Sequence, residues 1–350
     1  MQRFRHILIW TTKAISAIVP ICLILSYLSV YISPAKIWFF AFFGLFYPLW
    51  LIGTALIGLF WLFTHKKFSW LFFIVLIPSL FYVPAFIQIC CKKSVATEAP
   101  LKIMTYNVHM FQSEGARTLT SIAKYISDEN PDIVCLQELY ARDTAEISRR
   151  FKQYPFRHTQ YIQVSGGAFF GIGIYSHYPI LETGKILFAS SGNMCIYADV
   201  KTKEKNIRIY NSHLQSTYLN LRRSFSRVRH DNQRNEEIKD VSMRLKTAFI
   251  KRAEQADTLS KHIRTSPFPI INCGDHNDTP VSYTYRKMKG SLKDAFIGAG
   301  KGFSFTFSSV VALRIDYIFS DKQLRAIGYR VDDHVKLSDH YPVVAAFNIN

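Results

Sequence analysis

The first 99 residues are almost continuously apolar and the remaining 251 are not, so one globular core cannot hold both. Three stretches, Ala14 to Ile32, Ile37 to Phe63 and Phe68 to Ile89, reach the ~20 residues needed to cross ~30 Å of hydrocarbon. The expectation is a membrane anchor over residues 1–93 with three transmembrane helices (about 14–32, 37–63 and 68–89), a polar linker over 94–100 and a soluble domain over 101–350. The first stretch follows Arg3 and Arg5 as a signal peptide would, but no small-x-small cleavage site follows it and two longer stretches do. None of the three contains Asp or Glu, which speaks for anchoring over an ion route.

Orientation follows the Lys and Arg of the short connections. Arg3, Arg5, Lys13, Lys66 and Lys67 fall on one side, and Lys36, Lys92 and Lys93 on the other. That bias puts the amino terminus in the cytoplasm, and three spans then put the soluble domain outside it. After the anchor, 35 Lys and Arg against 24 Asp and Glu leave the domain at +11 of the total +18, which favours nucleic acid, phospholipid surfaces or phosphorylated metabolites as partners. Of six cysteines, Cys22, Cys90 and Cys91 lie in or at the spans. The domain's three, Cys135, Cys195 and Cys273, sit in apolar runs, an odd count that excludes a complete disulfide framework.

Within the domain, β-branched and aromatic runs at 102–108, 133–137, 171–175, 194–200, 207–212, 269–273, 315–319 and 343–349 read as strands. Helical periodicity appears at 119–130, 144–151 and 236–263, where Val241, Leu245, Ala248, Phe249, Ala256, Leu259 and Ile263 share one face. Many strands with few long helices suggest packed sheets with helices outside. Arg222 to Arg252 holds ten Lys or Arg against four acids and reads as a solvated helix face with a basic loop, because the charges lie opposite the apolar stripe.

The chemistry concentrates at strand ends. Asn107 closes Ile103–Asn107, Glu138 follows Ile133–Gln137, His213 follows Ile207–Ser212, and Gly274-Asp275-His276-Asn277 follows Ile270–Cys273. Asp316 opens a strand and Ser338-Asp339-His340-Tyr341-Pro342 precedes one. Polar groups delivered repeatedly to strand ends suit one shared site. Singly, Gly-Asp-x-Asn is also an ordinary turn, and a lone His is more often structural.

Taken in order, Asn107, Glu138, His213, Asp275, Asn277, Asp316, Asp339 and His340 resemble the endonuclease/exonuclease/phosphatase superfamily, from about Leu101 to Phe347. The resemblance implies a four-layer α/β/β/α sandwich, two packed mixed β-sheets flanked by helices, here preceded by the three transmembrane helices. It makes Glu138 the main Mg²⁺ ligand, helped by Asn107 and Asp339, with Mn²⁺ as a substitute; an oxygen-only donor set suits these ions. It assigns Asp275 to the attacking water, Asn277 to a non-bridging phosphate oxygen, and Asp316 to His340 as its orienting carboxylate. His213 becomes a second phosphate contact or proton donor, and which histidine is acid and which base stays open. Relatives often carry an aromatic where His276 stands, so His276 is expected to fill that space; His109 is left outside the site. The function implied is a membrane-tethered, metal-dependent phosphodiesterase acting on nucleic acid or a phospholipid headgroup. The alternative is an inactive membrane-anchored binding or scaffold module for an anionic ligand.

Overall fold

Strands whose inward side chains are Ile, Val and Cys pair into two six-stranded sheets packed face to face. The computed structural model describes residues 2–64, 66–89, 100–112, 116–189, 191–217, 234–308 and 311–349. In chain order the strands are β1 (Ile87–Gln88), β2 (Leu101–Asn107), β3 (Ile133–Ala141), β4 (Phe156–Gln163), β5 (Phe169–Ser176), β6 (Ile180–Leu187) and β7 (Met194–Lys201). They continue with β8 (Asn206–His213), β9 (Ile270–Asp275), β10 (Lys293–Asp294), β11 (Gly302–Phe303), β12 (Asp316–Ser320), β13 (Leu324–Val331) and β14 (Val343–Ile349). One sheet runs β13-β14-β2-β3-β5-β4 and the other β10-β12-β9-β8-β7-β6.

Each sheet has one parallel pair, β2 with β3 and β8 with β9, among antiparallel neighbours. A parallel pair needs a crossover, and both crossovers contain a helix on the outer face. Between β2 and β3 lies α6 (Ala116–Glu129), which sets Leu119, Ile122 and Ile126 against Met104, Val134 and Leu136. Between β8 and β9 lies α8 (Arg234–Ile263), which sets Ala256, Leu259 and Ile263 against Tyr210, Tyr317 and Phe319. Each fully buried aliphatic or aromatic side chain adds ~1.5–3 kcal/mol over leaving it in water. The carboxyl ends of the two parallel pairs meet at one end of the sandwich, where open α/β sheets place their ligands.

The remaining helices in the sandwich are α7 (Thr144–Arg150), α9 (Tyr283–Lys289) and α10 (Ala295–Ala299), of which the sequence pattern anticipates only the first. All eight expected strands are present. The unanticipated β4, β6 and β13 are outermost in their sheets, and β4 and β13 lack the strong burial that makes a strand readable.

The amino-terminal part differs from expectation. It forms α1 (Gln2–Ser29), α2 (Phe40–Leu45), α3 (Tyr47–Thr64), α4 (Lys66–Leu76) and α5 (Ser79–Tyr82). Among the described residues only α3 is long and apolar enough to cross a membrane, and three of its eighteen residues, Tyr47, Thr54 and Gly58, are buried. The stretch expected over 37–63 is interrupted at Phe46, and that over 68–89 is divided by the turn at Ile77 and Pro78. Three full spans are therefore not present as single helices. Most of the expected linker (94–99), Cys90 to Lys93 and the basic stretch 218–233 lie outside the described residues.

The helical part rests on the sandwich. Leu23, Val30 and Tyr47 close over Val281, Ser29 Oγ donates to the Val281 carbonyl at 3.3 Å, and Arg286 Nε donates to the Val30 carbonyl at 2.8 Å. Phe42 meets Phe249 of α8 edge-on, and β1 pairs with β11. The buried Arg314, ion-paired to Asp294 at 2.7 Å, donates to the Ala85 carbonyl.

Candidate active site

Parallel register sets His213 beside Asp275, and antiparallel register sets Asp275 opposite Asp316. Two carboxylates on directly opposed residues repel, so cations or protons must sit between them. His340 does: its Nδ1 is 2.9 Å from Asp316 Oδ2 and its Nε2 3.7 Å from Asp275 Oδ2. Asp316 is fixed through its backbone, since Thr306 Oγ1 accepts from the amides of Ile315 and Asp316.

Asp275 is the centre of the cluster. Oδ1 accepts from the Asn277 amide at 2.8 Å, and Oδ2 accepts from Asn277 Nδ2 at 3.1 Å and Asn107 Nδ2 at 3.0 Å. His213 Nε2 lies 3.8 Å from Asp275 and 3.5 Å from Glu138 Oε1. Neither ring nitrogen of His213 and not Oδ1 of Asp316 has a hydrogen-bond partner in the protein, although all three atoms are buried. Unmatched buried polar atoms aimed into a cleft are what a site keeps for water, ion or substrate.

Glu138 reaches the cluster because β3 bulges. Register against β5 shifts between Leu136 and Leu139, and Glu138 takes φ 57°. Asn277 also has positive φ, as do His109, Met110 and Phe111 in succession. Such backbone costs of order 1–3 kcal/mol per residue and gathers at functional sites. Asn107 presents its nitrogen to Glu138 at 3.1 Å while its Oδ1 accepts from the His109 amide, so in this arrangement it spaces the two carboxylates. Below, Gln137 donates to Asn211 at 2.7 Å and ties the sheets together.

Asp339 stands at the rim, 3.0 Å from His109 Nδ1. His109 thus joins the site, contrary to its omission from the sequence reading; the left-handed turn after β2 turns it back in a way strand alternation does not reveal. His276 does fill space: fully buried, it stacks on Tyr317 at 5.4 Å, and burial with Arg314 nearby holds its pKa down to about 3. Arg252, read as part of a solvated face, is 2 % exposed and lies 3.9 Å from Asp278.

Burial raises Asp275 to about 6, with Asp316 adding to the rise and His340, His213 and Asn107 opposing it. Burial opposes charge on His340, but Asp316 and Asp275 outweigh it and raise that ring to about 10. Between those values the pair is carboxylate and imidazolium. Burial works to raise Asp339, yet the hydrogen bond from His109 holds it below the usual range.

Gly274 makes this geometry possible. It has φ 131°, and a Cβ there would collide with the Ser212 backbone. Gly274→Ala is expected to cost roughly 2–4 kcal/mol and to push Asp275 out of place. Gly290→Ala, at φ 48° with only the Lys287 carbonyl in ordinary contact, is expected to cost ~1 kcal/mol; thermal unfolding of both variants checks the difference.

Residues 104–340 match the family described as "Endonuclease/Exonuclease/phosphatase family", and residues 5–86 match one described as "Domain of unknown function (DUF8431)". No curated protein matches the chain. Among solved structures, an endonuclease/exonuclease/phosphatase from Beutenbergia cavernae is 17% identical with TM-score 0.54, over 72% of each chain. The TDP2 of D. rerio complexed with single strand DNA product is 18% identical with TM-score 0.51, over 72% of this chain and 100% of that one. The human Nocturnin catalytic domain with bound sulfate anion is 18% identical with TM-score 0.52, over 73% and 97%. At these identities the likeness concerns the fold.

Proposed function

The chain belongs to the endonuclease/exonuclease/phosphatase family, and from that premise we propose that it hydrolyses phosphoric diesters with a divalent metal ion, on a domain tethered to a membrane. The observation that carries this reading is the Asp275 hub, a buried carboxylate held by two amides between two histidines. The TDP2 structure with a DNA product and the Nocturnin structure with sulfate are consistent with an anionic ligand. The tether rests on α3, apolar along its length, with only Tyr47, Thr54 and Gly58 buried.

The donor set suits Mg²⁺ or Mn²⁺, because Glu138 and Asp339 bring carboxylate oxygens to the cleft beside Asn107, and no cysteine joins the acidic and histidine groups found among the described residues. Glu138 and Asp339, with Asn107 beside them, would hold the ion, which would supply positive charge to the phosphate oxygens. Asp275, kept ionised above about pH 6, accepts the proton of the attacking water. Asn277 holds Asp275 in line through two contacts. His340, its Nδ1–H donated to Asp316, keeps its charge and turns Nε2–H toward the developing negative charge. His213, with both ring nitrogens free of protein hydrogen bonds, is placed to protonate the leaving oxygen.

Full-length protein in detergent micelles with Mg²⁺ is expected to hydrolyse bis(p-nitrophenyl) phosphate faster than p-nitrophenyl phosphate. The acid limb gives a second reading. Asp275 must be unprotonated to act as base and its pKa is raised, so activity is retained at neutral pH and kcat/KM falls ~10-fold per unit below about pH 6. A flat profile down to pH 4 would remove Asp275 from the role of base.

A further inference from the structure

Phe303, Phe305 and Phe307 form a row that links the helical part to the catalytic end. Phe303 is 61% exposed and Phe305 39%, while the intervening Ser304 and Thr306 are buried, so the three phenylalanines share the outward side. The first two rings stack at 5.3 Å, and the third lies 5.0 Å from the His340 ring. The other end of the row joins the helices: Phe303 pairs with Ile87 in the β1–β11 ladder, five positions after Tyr82. Two positions after Ile87, Ile89 is 84% exposed.

At that end the helices meet the sandwich through a cluster of aromatic side chains. Tyr27 stacks on Tyr82 at 5.6 Å, Tyr47 stacks on Phe86 at 5.5 Å, and Trp50 packs in the same cluster. An exposed row of phenylalanines that ends at the catalytic histidine is a surface for an apolar part of the substrate, and its other end meets the apolar helical part. Lys301 and Lys336 are exposed beside its two ends, Lys336 through its bond to Tyr341, and offer positive charge to a phosphate.

We propose that the substrate is a lipid-borne phosphodiester taken from the bilayer surface, its apolar part lying along Phe303, Phe305 and Phe307 while its phosphate meets His340. This rests on the phosphodiesterase and tether readings given above. The occupant is a membrane lipid because the row is continuous with the helical part; a single-stranded nucleic acid stacking its bases there is the competing outcome.

The test uses full-length protein in phosphatidylcholine nanodiscs and two probes with the same leaving group: a p-nitrophenyl phosphodiester of dioleoylglycerol, carried in the bilayer, and bis(p-nitrophenyl) phosphate in solution. Wild type is expected to prefer the lipid-borne ester, and Phe303→Ser with Phe305→Ser to lower the lipid-to-soluble ratio of kcat/KM by about 10-fold. Turnover of the soluble probe with an unchanged ratio in the double variant would overturn the lipid assignment and leave the phosphodiesterase reading standing. Loss of activity on a single-stranded oligonucleotide, with the lipid ratio intact, would replace it with base stacking. No turnover of either probe by wild type would remove the phosphodiesterase reading and this inference together.

Discussion

Asp275→Asn is expected to lower kcat on bis(p-nitrophenyl) phosphate by ~10²- to 10⁴-fold while leaving the fold intact. The size follows from how many partners the carboxylate serves. Its Oδ1 takes the Asn277 amide, and its Oδ2 takes the side-chain nitrogens of Asn107 and Asn277. An amide of the same shape keeps one oxygen for these donors but cannot accept a proton from water. It also removes the charge that helps to hold His340 protonated, so one substitution affects both partners of the pair. Thermal unfolding is expected to move little, since an isosteric, neutral group relieves the repulsion between Asp275 and its cross-strand partner Asp316. Circular dichroism and a melting curve beside the kinetics separate lost chemistry from lost structure.

Glu138→Gln is expected to raise the Mg²⁺ concentration for half-maximal rate by roughly 10- to 100-fold, with part of the lost rate recovered at saturating metal. The bulge in β3 exists at a cost: Glu138 is a non-glycine residue at φ 57°, and its side chain is mostly buried beside His213 and Asn107. Removing its charge weakens attraction for a hard cation without changing shape. A kcat loss that no metal concentration relieves would instead place Glu138 in proton transfer. Isothermal titration of Mg²⁺ into wild type and variant provides a readout independent of turnover.

Most of the sandwich was legible because its central strands carry apolar runs, as Ile133 to Leu136 and Val343 to Phe347 do. Strands β4, β6 and β13 were not, since an edge strand faces water along one side and loses the pattern. The short α9 and α10 depend on capping, by Ser282 and Asp294, more than on periodicity. That these residues converge was readable for the same reason as the core: strand ends are fixed once strands are. Its geometry was not. That Asn107 turns its nitrogen to Glu138, and that His109 folds back onto Asp339, depends on a left-handed turn of non-glycine residues that no local preference announces. Arg252 shows the limit of charge patterning, because a cation on a seemingly polar face is buried by the loop carrying Asp278. The expectation of three spans came from hydropathy, which counts residues and does not see the interruptions at Phe46 and Pro78.

The decisive measurement is a Mg²⁺ titration of bis(p-nitrophenyl) phosphate hydrolysis by full-length protein, with EDTA as the zero point, run on wild type and Asp275→Asn in parallel. Saturable, EDTA-sensitive turnover by wild type, reduced at least ~100-fold in the variant at every metal concentration, is the expected result. Equal turnover by the two proteins, or a wild-type rate indifferent to EDTA, would contradict a metal-assisted phosphodiesterase built around Asp275.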